Sequence, residues 1–254
     1  MKHHALLPIL ATTALSGCAL LAHDEPSSHR SPSAPAAMVI FGGSTSDVVQ
    51  HDSLLHQFEV AVAPTLTEQR ADVVVAIAGD RTSTAPEIAV QASYSRAVAD
   101  AQGNSLVEQE NAAGVTTTLL DGTRAAVAAY LPSTTSDPVS GLALATQVHA
   151  QFGAQAPFTL YLMGDAISTT PSCNLLLLDL STAEARTQAI GSCTTGLLID
   201  LAGVEVVIAG AGVDPDDVLS PERAAYIEQF WRELVAAEGG VIRVYAAELV
   251  EVAR

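Results

Sequence analysis

Positively charged residues are scarce in this 254-residue sequence. It contains 11 Lys and Arg against 28 Asp and Glu, which gives a formal net charge of −17, and Lys2 is its only lysine. Because so acidic a chain repels phosphate, nucleic-acid binding is not expected. Apolar residues make up 49% of the chain, which is too many for a disordered protein. The length allows one larger domain or two small ones, and with no internal repeat or second boundary we expect one.

After its N terminus the sequence lacks any apolar run of the roughly 20 residues that span a bilayer as a helix. At the N terminus, Lys2 precedes a short apolar stretch, Ala5 to Leu15, and then Leu15-Ser16-Gly17-Cys18, which is the layout of an export signal. The last four residues resemble the lipobox of bacterial lipoproteins. That resemblance implies a signal peptide over residues 1–17, a lipidated Cys18, and an exported protein anchored to the bacterial cell membrane outside the cytoplasm. The alternative is an ordinary secretory signal with an incidental cysteine.

Residues 18–37 contain serine, histidine and proline but few large apolar side chains. Such a composition cannot bury enough surface to order itself, so we expect a flexible tether ahead of a folded domain over residues 38–254. An acidic domain is repelled by anionic headgroups. The lipid is therefore the only membrane contact that we expect.

Cysteine is rare, and once Cys18 is assigned to lipid only Cys173 and Cys193 remain. Two cysteines in an exported protein favour a disulfide, which would close a loop of about 20 residues and stabilise the fold by roughly 3 kcal/mol. Both lie next to serine in loop-like surroundings. The alternative is two separate buried thiols.

Short runs rich in Val, Ile and Leu recur after the tether and lack in/out alternation, as strands buried on both faces do. These runs are Met38–Phe41, Asp72–Ala78, Phe158–Met163, Val204–Ala209 and Val241–Tyr245. Residues Glu87–Tyr94 alternate better and predict an antiparallel edge strand.

Helix-like segments lie between the predicted strands. Pro64 should end or kink the first segment, Asp52–Leu66, and a break is expected around Thr116–Thr118 in the second, Ala112–Tyr130. Ser181 and Glu184 have capping-box spacing before the fourth, and the last begins at Ser220 and Pro221 and stops at Gly239. The segments are Asp52–Leu66, Ala112–Tyr130, Ser140–Phe152, Ala185–Ile190 and the helix with the apolar stripe Ile227, Phe230, Trp231, Leu234 and Val235. Strand and helix in alternation predict a three-layer α/β fold with a doubly wound, mostly parallel, Rossmann-like sheet.

Ligands of such sheets bind at the carboxyl ends of the strands. Three polar loops are predicted there: Phe41–Asp47 (loop 1), Pro132–Pro138 (loop 2) and Met163–Thr170 (loop 3). If they bind nothing, loop 1 simply turns a strand into a helix that its hydroxyls cap, and loop 2 supplies a helix cap ahead of Pro138.

These loops resemble those of a von Willebrand factor type A (VWA) domain, as found in bacterial surface lipoproteins. That family has Asp-x-Ser-x-Ser after strand one, a mid-chain threonine and a later aspartate. Ser44 and Ser46 match the two serines, Thr134 or Thr135 the threonine, and Asp165 the later aspartate. The segment Asp200–Val206, Gly210-Ala211-Gly212 and a helix with Phe230-Trp231 are similar to the end of VWA-like domains. The resemblance implies a VWA-like fold and a metal-ion-dependent adhesion site that holds a divalent cation, Mg²⁺ or Mn²⁺.

The sequence departs from that motif at Gly42, which stands where the family has its leading aspartate. The change removes one of two carboxylates that would neutralise a hard cation. Asp47 and Asp137 are the nearby carboxylates that could substitute, although neither lies at the motif position.

Other motifs for catalysis are incomplete. The sequence has no Gly-x-Ser-x-Gly elbow and no P-loop, and the Gly-x-Gly at Gly210 lacks its third glycine. His51 and His56 are five residues apart and are predicted to lie at the surface, whereas His149 lies on an apolar helix face and is predicted to be a core residue. No nucleophile, base and orienting residue can be assembled, so we do not expect an enzyme.

Three functions remain open. The first is a membrane-anchored VWA-like module that binds an envelope protein or polymer through a degenerate adhesion site. The second is a periplasmic or surface small-ligand binder or enzyme that uses the same crevice without metal. The third is an accessory subunit of an envelope complex whose loops bind nothing.

Overall fold

The computed structural model describes residues 34–78, 87–130, 135–153, 156–212 and 219–249, so the predicted signal peptide and Cys18 lie outside the described residues. The strands of the main sheet are β1 (Ala36–Gly42), β2 (Asp72–Ala78), β3 (Glu87–Ala92), β4 (Phe158–Met163), β7 (Val204–Ala209) and β8 (Val241–Ala246). A separate hairpin consists of β5 (Thr169–Thr170) and β6 (Cys173–Asn174).

The main sheet has the order β3-β2-β1-β4-β7-β8. Strand β3 is antiparallel to β2, and every other neighbouring pair is parallel. The chain builds outward from β1 to β3 on one side and from β4 to β8 on the other. The order therefore reverses between β1 and β4, and the crevice at their carboxyl ends is the place where ligands bind in sheets of this kind.

Helices cover both faces of the sheet. They are α1 (Thr45–Gln57), α2 (Ala63–Gln69), α3 (Tyr94–Asp100), α4 (Ser105–Ala129), α5 (Pro138–Phe152), α6 (Ala183–Cys193) and α7 (Pro221–Ala237). On one face, residues of α5 and α7 pack on alternate side chains of β1 and β4, such as Ile40 and Leu162. On the other face, residues of α1, α2 and α4 pack on Val39, Phe41 and Val75. The predicted three-layer α/β fold is confirmed, with a doubly wound, mostly parallel, Rossmann-like sheet.

The strands are close to their predicted positions. Strand β1 begins two residues before the predicted Met38, because Ala36 and Ala37 already pair with β2 and β4 and are buried. The folded domain therefore includes two residues that the composition assigned to the tether. The antiparallel edge strand is confirmed at β3.

The first predicted helix differs from the structure at its start and in its middle. Helix α1 begins at Thr45, seven residues before the predicted Asp52, because Ser44 caps it. A π-helical segment, Phe58–Val62, then joins α1 to α2, and Pro64 lies in the first turn of α2. Proline has no N–H to donate, so it fits the start of a helix and the path continues instead of stopping there.

Helix α4 is unbroken, so the break predicted around Thr116–Thr118 is wrong. The hydroxyls of the three threonines donate to the carbonyls four residues earlier, at Ala112, Ala113 and Gly114. Threonine can remain inside a helix in this way because its hydroxyl is satisfied by the helix itself. The helix also begins earlier than predicted, where Asn104 caps it.

The predictions for the last two helices had different outcomes. Thr182, not Ser181, caps α6, since the Thr182 hydroxyl accepts from the Ala185 amide while Ser181 donates to Asp179. Helix α7 is confirmed with Ser220 as its cap and its apolar stripe buried. The last turn of α7 is followed by Gly239, whose φ of 84° lies in the left-handed region that favours glycine.

The predicted disulfide is confirmed between Cys173 and Cys193, and it joins the β5-β6 hairpin to the end of α6. The salt bridge between Arg186 and Glu233 joins α6 to α7 in turn, and this ion pair holds the pKa of the Glu233 carboxyl below its ordinary value. Within the described part of the chain, no helix is both long and apolar enough to cross a membrane.

Candidate functional site

A small cavity lies at the crevice between β1 and β4. Its volume is about 20 Å³, which is room for about one water molecule. Loops 1, 2 and 3 all contribute to its walls. The polar part of the wall comes from Asp47, Ser136 and Asp165, and the rest comes from Ile40, Gly42, Ala78, Pro138, Leu162, Met163, Gly164 and Ala166.

In loop 1, Ser44 and Asp47 form a capping box at the start of α1. The Ser44 hydroxyl accepts from the Asp47 amide at 3.2 Å and donates to Asp47 Oδ2 at 2.6 Å. The Ser44 amide donates to the same oxygen at 3.0 Å. Two of the N–H donors that a helix start leaves unpaired are thereby satisfied. Ser44, a predicted metal ligand, is in the structure the N-cap of α1.

The Asp47 carboxylate fills the space beside Gly42. A Cβ atom built on Gly42 would lie 2.3 Å from Asp47 Cγ and 2.4 Å from Asp47 Oδ2. No side chain fits there while Asp47 holds its present position. Gly42 therefore lacks the aspartate side chain of the motif, and the carboxylate of Asp47, which belongs to α1, occupies the volume that such a side chain would take.

Asp47 also reaches loops 2 and 3. The Asp165 amide donates to Asp47 Oδ1 at 3.2 Å, and the Ser136 hydroxyl lies 3.5 Å from Oδ2, a long hydrogen bond. A Cβ atom on Gly164 would lie only 2.8 Å from Oδ1, so glycine at 164 lets loop 3 approach this closely. We call the contacts of the Asp47 carboxylate with Ser44, Ser136 and Asp165 the Asp47 bridge.

Loop 3 has its own support around Asp165. The Asp165 carboxylate accepts from the Ile167 amide at 2.8 Å, and Ala166 between them has a φ of 60°, which is unusual for a residue other than glycine. The Trp231 indole N–H donates to the Ala166 carbonyl at 2.7 Å. Burial raises the pKa of the nearby Tyr245 hydroxyl, and the charges of Glu228 and Asp165 raise it further.

Loops 2 and 3 are also hydrogen-bonded to each other. The Ser136 amide donates to the Thr169 hydroxyl at 2.8 Å, and the Thr169 amide donates to the Ser136 carbonyl at 3.0 Å. The Ser168 hydroxyl donates to the Cys173 carbonyl at 2.7 Å. Since Cys173 is bonded to Cys193, the disulfide holds the far end of loop 3 against α6.

The structure brings together only some of the predicted site residues. Ser44 and Asp165 both contact Asp47, and they are 5% and 3% exposed. Thr135 is partly buried beside Ser136, and it is Ser136 that lies near Asp47. Thr134 and the side chain of Ser46 lie outside the described residues. Asp137, a possible substitute ligand, instead caps α5 by accepting from the Ser140 amide.

Three functional contacts were missed or misjudged in the sequence. Asp47 is named from the sequence only as a possible substitute ligand, and its capping-box spacing after Ser44 could have identified the contact that it makes. Ser136 carries no distinguishing signal. His51, predicted to lie at the surface, is 6% exposed, and its Nε2 donates to the Gly42 carbonyl at 2.9 Å. It is buried because its position on α1 faces the end of β1. His149 is buried as predicted, and His56 is exposed.

The site residues that the structure describes do not fit a resident divalent cation. Hard cations bind six or more oxygen ligands, or keep several waters beside one or two carboxylates. Both Asp47 oxygens already accept hydrogen bonds, one Asp165 oxygen accepts from Ile167, and the cavity has no room for a hydrated ion. In the part of the chain that the structure describes, no three His, Cys, Asp or Glu side chains form a group that could hold a metal.

Comparison with known proteins gives little further information. No family model matches the sequence, and no curated protein matches it. The chain is similar to the crystal structure of the human COPII-coat protein Sec24c, with 13% sequence identity and a TM-score of 0.41. The match covers 87% of this chain and 31% of that one, so the chain spans about a third of the length of that protein. A likeness this distant supports no inference about function.

Proposed function

We propose that this chain is an exported, membrane-anchored binding module whose three loops at the carboxyl edge of the sheet contact an envelope protein or polymer. The observation that supports this most directly is the convergence of loops 1, 2 and 3 at the switch point, where buried hydrogen bonds hold them together. Loops held on a rigid scaffold are a common way to present a binding surface. The VWA-like fold by itself leaves the function open.

The direction of the chain agrees with an anchor at Cys18. Strand β1 begins at Ala36, at the amino edge of the sheet, and ends at Gly42 beside the three loops. Seven extended residues span about 23 Å, so the loops and the entry point of the chain lie at opposite edges of the sheet. A lipid at Cys18 would then attach the domain on the side opposite the loops, and a flexible tether would leave the loops accessible to a partner.

A small-ligand binder or enzyme in the same crevice is the second candidate, and the geometry favours it less. Small-molecule sites are clefts of roughly 300–1,000 Å³, far larger than this cavity. The histidine beside loop 1, His51, has Nε2 engaged with the Gly42 carbonyl, so that nitrogen cannot act as a base. We therefore expect no catalytic turnover from these residues.

Photo-crosslinking at matched positions tests the proposed binding surface. A photoreactive amino acid would replace Val49, which is 68% exposed on α1 near loop 1, in the full chain produced in its native host. The matched control is Leu106, which is 75% exposed at the start of α4. The other end of α4 reaches Tyr130 beside Gly43, so Leu106 lies about 36 Å along the helix from the loops.

We expect one adduct of defined size, or a polymer ladder, from position 49 and none from position 106. Equal crosslinking at both positions would indicate nonspecific contact and contradict the proposal. An adduct only at position 106 would favour an accessory subunit that docks through another surface. No adduct at either position, together with labelling by activity-based probes, would favour the enzyme.

A further inference from the structure

We infer that the Asp47 bridge does by hydrogen bonds what a cation would do in a metal-ion-dependent site, so that the three loops are assembled without metal and Asp47 is a positioning residue. The inference rests on the proposed function only for the claim that these loops bind a partner. The bridge itself is a property of the fold.

The first argument is the shared space at position 42. Gly42 is an ordinary extended residue of β1, so the backbone does not require glycine there. The requirement comes from Asp47, whose carboxyl carbon would lie 2.3 Å from a Cβ atom at that position. Glycine at 42 and aspartate at 47 are therefore two parts of one arrangement, in which the carboxylate comes from the helix instead of the strand.

The second argument is that the bridge satisfies the charge of Asp47 without a cation. The Asp47 side chain is almost completely buried and lies in the first turn of α1, where a carboxylate is stabilised by the helix dipole. It accepts from the amides of Ser44 and Asp165 and from the Ser44 hydroxyl. Hydrogen bonds to an ionised acceptor are among the strong ones in proteins.

The third argument is the reach of the bridge. A cap that only stabilised α1 would contact Ser44 alone. Asp47 additionally contacts residues 89 and 118 positions away in the chain, in loops 2 and 3. Removing the carboxylate should therefore loosen a loop remote in sequence, which removing a local cap would not do.

Amide hydrogen exchange of the full chain tests this. In Asp47→Asn, an NH2 group replaces one of the two carboxylate oxygens, and this group cannot accept the hydrogen bonds that the oxygen accepted. Hydrogen exchange at the Asp165 amide should therefore accelerate by about tenfold or more. The matched control is Ser44→Ala, which removes the hydroxyl of the capping box but leaves the Asp47 contact with Asp165. We expect Ser44→Ala to accelerate exchange at the start of α1 only. Equal acceleration at Asp165 in both variants would show that Asp47 is merely a cap and overturn the inference.

A double-mutant cycle tests the shared space independently. Gly42→Asp alone should lower Tm because its Cβ meets the Asp47 carboxylate. Gly42→Asp with Asp47→Gly should recover much of that loss, because the carboxylate then projects from the strand into the vacated volume. Losses that simply add would show that the two positions do not share space and would overturn the argument.

Thermal unfolding with EDTA and then with excess Mg²⁺, Mn²⁺ or Ca²⁺ tests independence from metal. With ionic strength held constant by sodium chloride, so that screening of the surface carboxylates does not differ between samples, we expect no change in Tm of the unmodified chain. A rise of several degrees that disappears in Asp165→Ala would overturn the inference, since a ligand that binds only the folded state raises Tm. If Tm rises with metal and position 49 still crosslinks, the inference of a metal-free bridge is wrong but the proposed function stands. If position 49 does not crosslink while hydrogen exchange and Tm behave as the bridge requires, the proposed function is wrong but the inference about Asp47 stands.

Discussion

His149 shows how a single buried polar side chain can lack a partner. The side chain is 6% exposed and stacks on Phe158, with ring centroids 4.8 Å apart. Its Nε2 atom has no hydrogen-bond partner among the described residues. Both carboxylate oxygens of Asp47, by contrast, accept hydrogen bonds. An unsatisfied buried group of this kind costs stability.

His149→Phe should therefore stabilise the protein by about 1 kcal/mol, because it removes the unsatisfied nitrogen and keeps an aromatic pair with Phe158. The measurement is the denaturant midpoint of the full chain at neutral pH. His56→Phe, at an exposed position on α1, is the control and should give no gain. A fall in the midpoint for His149→Phe would show that its imidazole makes an essential contact.

Helix α4 carries two glycines in different surroundings. It runs for 25 residues along β3, α3 and α2 without a break. A Cβ atom on Gly114 would meet nothing within 4 Å, whereas one on Gly122 would lie 2.9 Å from Val90 Cγ2. Gly122 lets the helix approach β3 closely, while Gly114 only adds freedom to the unfolded chain.

Gly114→Ala should stabilise the protein by about 0.5–1 kcal/mol, because alanine is the better helix former and meets no neighbour. Gly122→Ala is the matched control in the same helix and should be neutral or destabilising, because its methyl group crowds Val90. Thermal unfolding of both variants makes the comparison. A larger gain at position 122 than at position 114 would contradict the packing described for α4 and β3.

The excess of negative charge affects the solubility and stability of the whole molecule. Several of the few arginines are already paired with carboxylates, as in Arg124–Glu59, Arg186–Glu233 and Arg232–Glu228. The net charge of −17 is therefore carried by acidic residues that repel one another across the surface. Such repulsion favours solubility and weakens the compact state.

Raising ionic strength from about 10 mM to 150 mM should raise Tm, because the screening length falls from roughly 30 Å to 8 Å and the surface carboxylates repel less. Sodium chloride and tetramethylammonium chloride should give the same rise, since screening does not depend on the kind of cation. Thermal unfolding in both salts is the measurement. A rise in sodium chloride alone would indicate specific cation binding in place of screening.

Much of the fold could be predicted from the sequence because its signals are local. The apolar runs of β2, β4 and β7 have their predicted bounds, and the cap and buried stripe of α7 are as expected. The errors are also local in origin. The spacing predicts Ser181 as the cap where Thr182 caps α6, and the threonines of α4 predict a break that is absent, because the hydroxyls of neighbouring Ser and Thr residues can bond to several nearby backbone groups.

The candidate site was decided by tertiary structure. Residue order along the chain was enough to predict that polar loops follow β1 and β4 and that Gly42 replaces an expected aspartate. It could not show that the Asp47 carboxylate fills the space at Gly42, that His51 is buried against the end of β1, or that the Ser136 hydroxyl lies near the Asp47 carboxylate. Strand and helix signals arise from residues a few positions apart. The position of a carboxylate depends on how α1, loop 2 and loop 3 pack against one another, across separations of up to 118 residues.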